Sequence, residues 1–404
     1  MVRRLLICFI SMMMVAAGYA QKKEIASAKT NIKNGSNLEA VENSMLKLLG
    51  DTANLYNDNV WNLLFASLKK QYDQGNEKLY LKQKYDTTSL FQITKKLFDT
   101  MEHCDSVYAL NPKKSLAGLS FRSKNASFLN RYRSNLFSGG TFYVRKQNFK
   151  DALQMFSTYI DCARQPMFSK YDYLANDTLL PEASYWALYS AYKLDDKQAI
   201  LHYAELAKND KEHYPYTLQY LAETYMATGD TTAYLNTLKT GYETYPEFKF
   251  FFPRLVDYYS DHGKYDTAMD IVEKALERDS LDVIYRFAKS SLMLNQKQFD
   301  KCIEICDQLI SESDTLAEPY MNAGLAYYNQ AVEVEKRTPL TRNDRNLRQT
   351  LYKKAMPYLQ RFQELAPQQK NVWAPPLYNI YFNLNMGREF DEMNRLMHED
   401  NPKP

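Results

Sequence analysis

Residues Tyr216–Leu281 read YTLQYLAETYMATGDTTAYLNTLKTGYETYPEFKFFFPRLVDYYSDHGKYDTAMDIVEKALERDSL. Apolar side chains recur at spacings of three and four, the period of an α-helix with one buried face. Gly229 and Gly263 interrupt this pattern 34 residues apart. Glycine reaches the left-handed backbone conformation that ends a helix at little steric cost. The stretch therefore predicts two helical hairpins in tandem, each built on a 34-residue period.

Equivalent positions in the two hairpins alternate large and small side chains. Tyr225 corresponds to Tyr259, while Ala222 and Ala268 are small residues on the first and second helices. Small residues let two helix backbones approach closely, and the aromatic rings fill the space beside them. Because a lone hairpin cannot bury its apolar face, several must stack, and we expect the pattern to continue along the chain.

This pattern resembles the tetratricopeptide-repeat (TPR) family over residues 21–397. Segments 135–143, 344–367 and 373–390 are also similar to those of exported TPR proteins of Gram-negative bacteria with no assigned reaction. The resemblance implies an all-α, right-handed α-solenoid of about eight to nine helical hairpins, binding of a protein partner, and no catalytic residues.

We predict that the solenoid occupies residues 21–404. The clearest repeats are 133–166, 182–214, 215–248, 249–282 and 283–315, and the repeat 317–370 contains an insertion at 335–350. Polar residues 73–87 are interpreted as an enlarged turn, and residues 113–133 as a basic connector.

The first twenty residues have the pattern of a secretory signal peptide. Arg3 and Arg4 precede an apolar segment, and small residues at Gly18 and Ala20 suit cleavage before Gln21. No later apolar stretch is long enough to cross a membrane. We therefore expect an exported protein, in the periplasm or associated with the outer membrane.

Charge and motifs exclude several classes of function. The 51 basic residues nearly balance the 48 acidic ones, which does not suit nucleic-acid binding. The sequence has no phosphate-binding glycine loop, no His-Glu-x-x-His and no Gly-x-Ser-x-Gly motif. We expect no catalytic residue, no cofactor and no metal.

Four cysteines remain after cleavage. Cys302 and Cys306 fall on one helix face and are interpreted as small core residues rather than metal ligands, because no histidine or carboxylate cluster joins them. Cys104 and Cys162 lie near the ends of second helices in neighbouring repeats, where a disulfide is one possibility and free thiols are the other.

A partner surface is predicted from the first helices, which line the concave face of such repeats. Positions that avoid the packing face include aromatic, Arg and Met side chains, as recognition surfaces often do. They are Phe137, Trp186, Tyr216, Gln219, Tyr220, Glu223, Phe250, Arg254, Asp257, Met321, Asn322 and Tyr328. Trp186 and Tyr220 are the predicted anchors, with Arg254 orienting a polar group. The alternative is that several of these side chains complete packing between helices.

Some TPR proteins hold a partner's terminal carboxylate with Lys and Asn side chains on the inner helices. This chain has Gln219, Glu223, Arg254 and Asp257 at the matching positions. That difference favours an extended polypeptide segment over a free carboxylate as the partner.

Two further patterns have competing interpretations. The basic cluster at Lys336, Arg337, Arg342, Arg345 and Arg348 is either a solvated extension of two helices or a patch for an anionic partner. Asp-Ser/Thr-apolar triplets resemble an O-glycosylation signal of some Gram-negative bacteria, but the same residue types also cap helices and turns. The triplets begin at Asp51, Asp99, Asp105, Asp177, Asp266, Asp279 and Asp314.

The function that these observations favour is a non-enzymatic protein-protein interaction scaffold of the cell envelope that binds an extended polypeptide. The alternative is a glycan-binding protein of the periplasm or outer membrane. A hydrolase ranks third, because no motif supports it.

Overall fold

A computed structural model describes residues 21–111 and 115–398. Within those ranges the regular structure is helical, and no strand occurs. The helices are α1 (residues 21–34), α2 (Leu38–Leu49), α3 (Asp58–Tyr80), α4 (Thr87–Ala109), α5 (Ser115–Asn130), α6 (Arg133–Arg145), α7 (Phe149–Asp161), α8 (Tyr173–Asn176), α9 (Leu180–Lys193), α10 (Lys197–Ala207), α11 (Tyr214–Thr228), α12 (Thr231–Thr244), α13 (Phe251–Asp261), α14 (Tyr265–Arg278), α15 (Val283–Asn295), α16 (Phe299–Glu312), α17 (Ala317–Glu335), α18 (Arg342–Leu365), α19 (Lys370–Asn383) and α20 (Gly387–His398). The predicted signal peptide lies outside the described residues.

The chain forms two compact units that divide between Thr237 and Leu238, within α12. The first unit contains α1–α11 and the second contains α13–α20. The predicted all-α, TPR-like fold is confirmed.

The turn between the two helices of a repeat has the same backbone conformation in four consecutive repeats. Asp195, Gly229, Gly263 and Lys297 follow one another at intervals of 34 residues, with φ of 55°, 79°, 66° and 61°. The second helices α10, α12, α14 and α16 begin two residues after these turns. Because two of the four turns use Asp and Lys, which reach positive φ at a steric cost, the repeat geometry and not glycine alone sets this conformation.

Small residues allow aromatic rings to lie against helix backbones. A Cβ atom added to Gly140 in α6 would lie 2.5 Å from the ring of Phe156 in α7, and one added to Gly241 in α12 would lie 2.4 Å from the ring of Phe251. Phe156 and Phe251 are both fully buried. Glycine therefore fixes the close approach of helix and ring in both units.

Arg133, at the start of α6, is a buried charged residue with 5% of its surface exposed. Its guanidinium lies between the rings of Tyr159 and Tyr173, 3.7 Å and 3.8 Å from their centroids. It also donates to Asp177 Oδ2 at 2.5 Å and to the Tyr159 carbonyl oxygen at 2.9 Å. These contacts connect α6, α7 and the segment that follows α7, so the charge is paired and its hydrogen bonds are satisfied.

The structure corrects two sequence predictions about connections. Residues 73–80 continue α3 as helix, so only residues 81–86 connect α3 to α4. Residues 115–130, within the predicted basic connector 113–133, form helix α5, which buries Ala126 and Leu129. The long loop after α7 also contains a 3-10 helix, Pro166–Tyr171, which buries Phe168.

All four cysteines of the described residues are free and buried. Cys104 and Cys162 therefore do not form a disulfide in this structure; the Cys162 thiol lies 3.6 Å from Glu102 Oε1. Cys302 and Cys306 are fully buried on α16, where they pack in the core.

Candidate functional site

The partly exposed face shared by α9 and α11 in the first unit is the strongest candidate site. On α9 the opposite face is buried through Ala183, Ala187, Leu188 and Ala191, all 0% exposed. The polar and aromatic residues therefore fall on the other face, at helical spacings of three and four. We name the α9–α11 surface after its members Glu182, Trp186, Tyr189, Tyr192, Lys193, Tyr216, Gln219, Tyr220 and Glu223.

Aromatic rings form a continuous series across this surface. Trp186 and Tyr189 lie 5.8 Å apart between centroids, Tyr189 and Tyr220 6.0 Å, and Tyr220 and Tyr192 4.3 Å. Tyr216, at the start of α11, is 43% exposed. Rings at these separations are in mutual contact and present large apolar area with few rotatable bonds.

Hydrogen bonds hold the polar groups of the α9–α11 surface in place. Glu223 accepts from the Tyr192 hydroxyl and from Gln219 Nε2, the latter at 3.1 Å, so it joins the two helices. The indole nitrogen of Trp186 donates to Glu182 Oε1 at 3.2 Å. The side chains are thus positioned before any partner arrives, which reduces the entropy lost on binding.

The charges of this surface are of both signs. The Lys193 ammonium lies 5.4 Å from the Tyr189 ring centroid and 5.9 Å from that of Tyr192.

Burial, assisted by the nearby Tyr189, raises the pKa of Tyr220 to about 12. Tyr220 therefore remains a neutral hydrogen-bonding group at physiological pH.

His213 supports the site from the start of α11. Its ring stacks on Tyr185 with centroids 4.1 Å apart, and its Nδ1 lies 2.7 Å from Asp210 Oδ2. Trp186 also contacts this ring, at 5.5 Å. The His213–Asp210 pair thus fixes the position of the Trp186 anchor.

Five of the twelve predicted partner residues meet on the α9–α11 surface: Trp186, Tyr216, Gln219, Tyr220 and Glu223. Sequence analysis missed Tyr189, Tyr192 and Lys193. The two tyrosines are both half-buried. Tyr189 lies three residues after Trp186 and Tyr192 lies three residues after Tyr189, so helical phase was the available signal.

Two predicted partner residues are buried, so the expectation that they are open to a partner is wrong. Asn322 is 2% exposed and its Nδ2 donates to Ser290 and Ser291 Oγ, each at 2.9 Å. Phe250 is 9% exposed, and the guanidinium carbon of Arg254 lies 3.7 Å from the centroid of the Phe250 ring. Both complete the packing of their own unit.

The remaining five predicted residues are not members of the α9–α11 surface. Phe137 is half-buried on its own hairpin, 5.7 Å from the Phe156 ring. Arg254 donates to the Phe250 carbonyl oxygen at 3.1 Å, while Asp257 is exposed on the same helix. On α17, Met321 is half-buried and the Tyr328 hydroxyl accepts from Asn379 Nδ2 at 2.9 Å.

The basic insertion is largely neutralised by its own carboxylates, and it extends α17 and α18. Three of its five basic side chains form ion pairs: Lys336 with Glu333 at 2.9 Å, Arg337 with Asp344 at 2.8 Å, and Arg348 with Glu335 at 3.3 Å. Thr341 and Asp344 form a capping box that begins α18. This geometry favours the interpretation of the insertion as a solvated extension of two helices.

The seven Asp-Ser/Thr-apolar triplets have mostly exposed hydroxyls. The Ser or Thr is exposed in six of them, and Thr100 is half-buried. Several of the aspartates have structural roles: Asp51 caps the 3-10 helix Thr52–Asn54, and Asp177 binds Arg133. Glycosylation and capping both remain compatible with these positions.

Within residues 21–111 and 115–398, no group of three or more His, Cys, Asp or Glu side chains is arranged to hold a metal ion. No helix in the same ranges is long and apolar enough to cross a membrane.

The repeat period, the shared turn conformation and the helical hairpins define an all-α fold that is TPR-like. No protein-family model matches the chain, and no curated protein matches it.

Solved structures similar to the chain include TPR proteins. The C-terminal part of a TPR repeat-containing protein from Cytophaga hutchinsonii is 12% identical, with a TM-score of 0.44, over 66% of this chain and 96% of its own. A tetratricopeptide repeat protein from Parabacteroides merdae is 17% identical, with a TM-score of 0.40, over 66% and 98%. The human IFIT1 dimer with m7Gppp-AAAA is 14% identical, with a TM-score of 0.40, over 77% and 73%. At these identities the likeness concerns the fold.

Proposed function

We propose that the protein is a non-enzymatic interaction scaffold of the cell envelope that binds an extended polypeptide on the α9–α11 surface. The observation that supports this is the series of rings from Trp186 to Tyr220 on two adjacent first helices. Anchors of this type dominate the binding energy of protein interfaces when they lie among groups that exclude water.

An extended segment suits the arrangement of polar groups. Gln219, Glu223 and Lys193 lie among the rings, and amide, carboxylate and ammonium groups can bind the N–H and C=O groups of a polypeptide backbone. Glu182 and Glu223 are already engaged with Trp186, Tyr192 and Gln219. A partner's terminal carboxylate would meet two carboxylates here, which disfavours that mode of binding.

The placement in the envelope depends on the predicted signal peptide and is part of the proposal. It has a test of its own, the mature N-terminus, which does not depend on the α9–α11 surface.

A display selection with unstructured 12-residue peptides on the whole mature chain tests the binding mode. Enriched peptides should bind the wild type, and the double variant W186A/Y220A should weaken binding by at least about 30-fold, because the loss of even one hot-spot residue costs about 2 kcal/mol or more. Y80A is the matched control, since Tyr80 is 85% exposed and lies outside the surface.

The outcomes separate the possibilities. Peptide binding that survives W186A/Y220A with an unchanged helical signal would place the site elsewhere. Binding that is lost only in R342Q/R345Q would assign it to the basic insertion. A pull-down from envelope extract with the same variants would then identify the natural partner.

A further inference from the structure

The first unit also contains a concave site, a polar cleft bounded by α2, α3 and α4. Its volume is about 690 Å³, within the range of small-molecule sites. Residues from 35–40, 71–78 and 85–96 line it, and we name it the α2–α4 cleft. None of these residues belongs to the α9–α11 surface.

Three glutamine side chains on the cleft wall are held in defined orientations. Gln71 Nε2 donates to Glu42 Oε2 at 3.0 Å, Gln74 Nε2 to the Gly35 carbonyl oxygen at 2.9 Å, and Gln92 Nε2 to the Tyr143 hydroxyl at 3.0 Å. In each planar amide the nitrogen is therefore engaged with protein. The three amide oxygens receive no hydrogen bond from the described residues, so the wall offers a set of acceptors.

Charge within the cleft is balanced. Glu42, 5% exposed, accepts from Lys96 Nζ at 2.6 Å, which neutralises that ammonium. Lys78 lies over the ring of Tyr85, 5.6 Å from its centroid, and Glu39 is the acidic residue of the lining. Because Glu42, behind the lining, pairs with Lys96, and Glu39 offsets Lys78, the cleft has no net attraction for a phosphate or another anion.

The lining lacks what a peptide groove requires. An extended peptide obtains specificity from pockets that receive its alternate side chains. The large aliphatic residues of the lining are Leu38 and Ile93, which are 6% and 8% exposed and belong to the core. The cleft therefore presents acceptors, a few donors and one ring.

Hydroxyl groups match that lining best, because each can donate to an amide oxygen and accept from Lys78 or Thr88. The half-buried ring of Tyr85 gives an apolar patch beside them. A Cβ at Gly75 would lie 2.6 Å from the Tyr85 hydroxyl oxygen, so glycine at this position admits the tyrosine to the cleft wall. We infer that the α2–α4 cleft is a binding site for a short, uncharged oligosaccharide.

Isothermal titration calorimetry with four neutral trisaccharides tests this site on the whole mature chain: maltotriose, cellotriose, xylotriose and N,N′,N″-triacetylchitotriose. At least one should bind with a Kd below about 1 mM. Q71A and Q92A should each weaken that binding about five- to tenfold, the effect of losing one hydrogen bond.

A steric variant keeps the test informative if a glutamine variant folds poorly. Ala40 is an exposed lining residue on α2, so A40W should fill the cleft and abolish binding without disturbing the core. A26W is its matched control, because Ala26 is exposed on α1 outside the cleft. W186A/Y220A should leave oligosaccharide binding unchanged, which separates this site from the proposed peptide surface.

Three results would overturn the inference. The first is the absence of a heat of binding for all four trisaccharides at about 10 mM. The second is oligosaccharide binding that A40W leaves unchanged. The third is stronger binding of trigalacturonic acid than of every neutral trisaccharide. The last result would assign the cleft to an anion instead.

Discussion

Replacing Glu102 with glutamine should stabilise the protein above neutral pH and have little effect near pH 4.5. Glu102 lies in α4, with Oε1 3.6 Å from the buried Cys162 thiol. Burial is the main cause that raises the pKa of this carboxyl from 4.5 to about 7, and Asp99 and Asp161 raise it further. The hydrogen bond from Cys162 opposes the shift without cancelling it.

The sign follows from the direction of the shift. Between pH 4.5 and about 7 the folded protein holds a proton on Glu102 that the unfolded chain has released. The stability contributed by this residue is therefore greatest at low pH and is lost as the pH rises through that window. The change from 4.5 to about 7 corresponds to a limit of about 3 kcal/mol above pH 7. Because Glu102 retains some solvent exposure, we expect about 1–3 kcal/mol.

Urea unfolding of the wild type and E102Q at about pH 4.5, 6 and 8.5 measures this effect. Groups common to both proteins cancel in the difference between them, so the difference should grow with pH. E205Q is the control, since the Glu205 side chain is 82% exposed and its substitution should give no such trend. A difference that is constant with pH, or an E102Q protein that is less stable at pH 8.5, would refute the argument.

Four further predictions concern stability and processing. R133A should destabilise the first unit by about 3–5 kcal/mol, because the Asp177 carboxylate, 11% exposed, loses its charged partner and keeps only the Tyr159 hydroxyl and the Leu179 N–H. R133K should recover little, since lysine cannot stack between two rings, and chemical unfolding checks both variants. Y259A should cost about 3–5 kcal/mol, because the ring is 7% exposed, and an unchanged Tm would contradict this. Sequencing of the exported protein should find Gln21 at the N-terminus, and an intact Met1 would exclude cleavage. If the Asp-Ser/Thr-apolar triplets are glycosylated, the intact mass of natively purified protein should exceed that of the bare chain, and equal masses would show that they are not.

The helices and their packing faces could be predicted because the information is local. Ala222 and Ala268 were expected to be small contact residues and are fully buried, and the turns fall at Gly229 and Gly263. Each of these follows from spacings of three and four and from one repeat period. Segments without that regularity were predicted poorly. Residues 73–80 are polar because they lie on a helix with a solvated face, not because they form a turn.

Contacts between distant residues could not be predicted in the same way. Arg133 was assigned to a basic connector, but Asp177, 44 residues later, makes it a core residue. Asn322 was placed on an open surface, although Ser290 and Ser291 in the preceding repeat enclose it. The α9–α11 surface was predicted in part, because Trp186 and Tyr220 follow from helical phase. Tyr189 and Tyr192 share that phase, and the ring contacts that both make with Tyr220 on the other helix assign them to the surface.

The recurring left-handed turn makes the repeat array modular in length. Asp195, Gly229, Gly263 and Lys297 share one backbone conformation at intervals of 34 residues. If the residues between one of these turns and the next were removed, the two ends of the chain would be joined at positions of the same backbone conformation. The later helices would then keep their original helical phase. Removal of residues 230–263 therefore subtracts one whole 34-residue period, whereas removal of one residue fewer would leave an extra residue at the junction and shift the phase of the next helix by about 100°. Duplication of the same 34 residues would lengthen the array by one hairpin. Proteins of this kind can therefore differ in the number of hairpins while the structure of each hairpin stays the same.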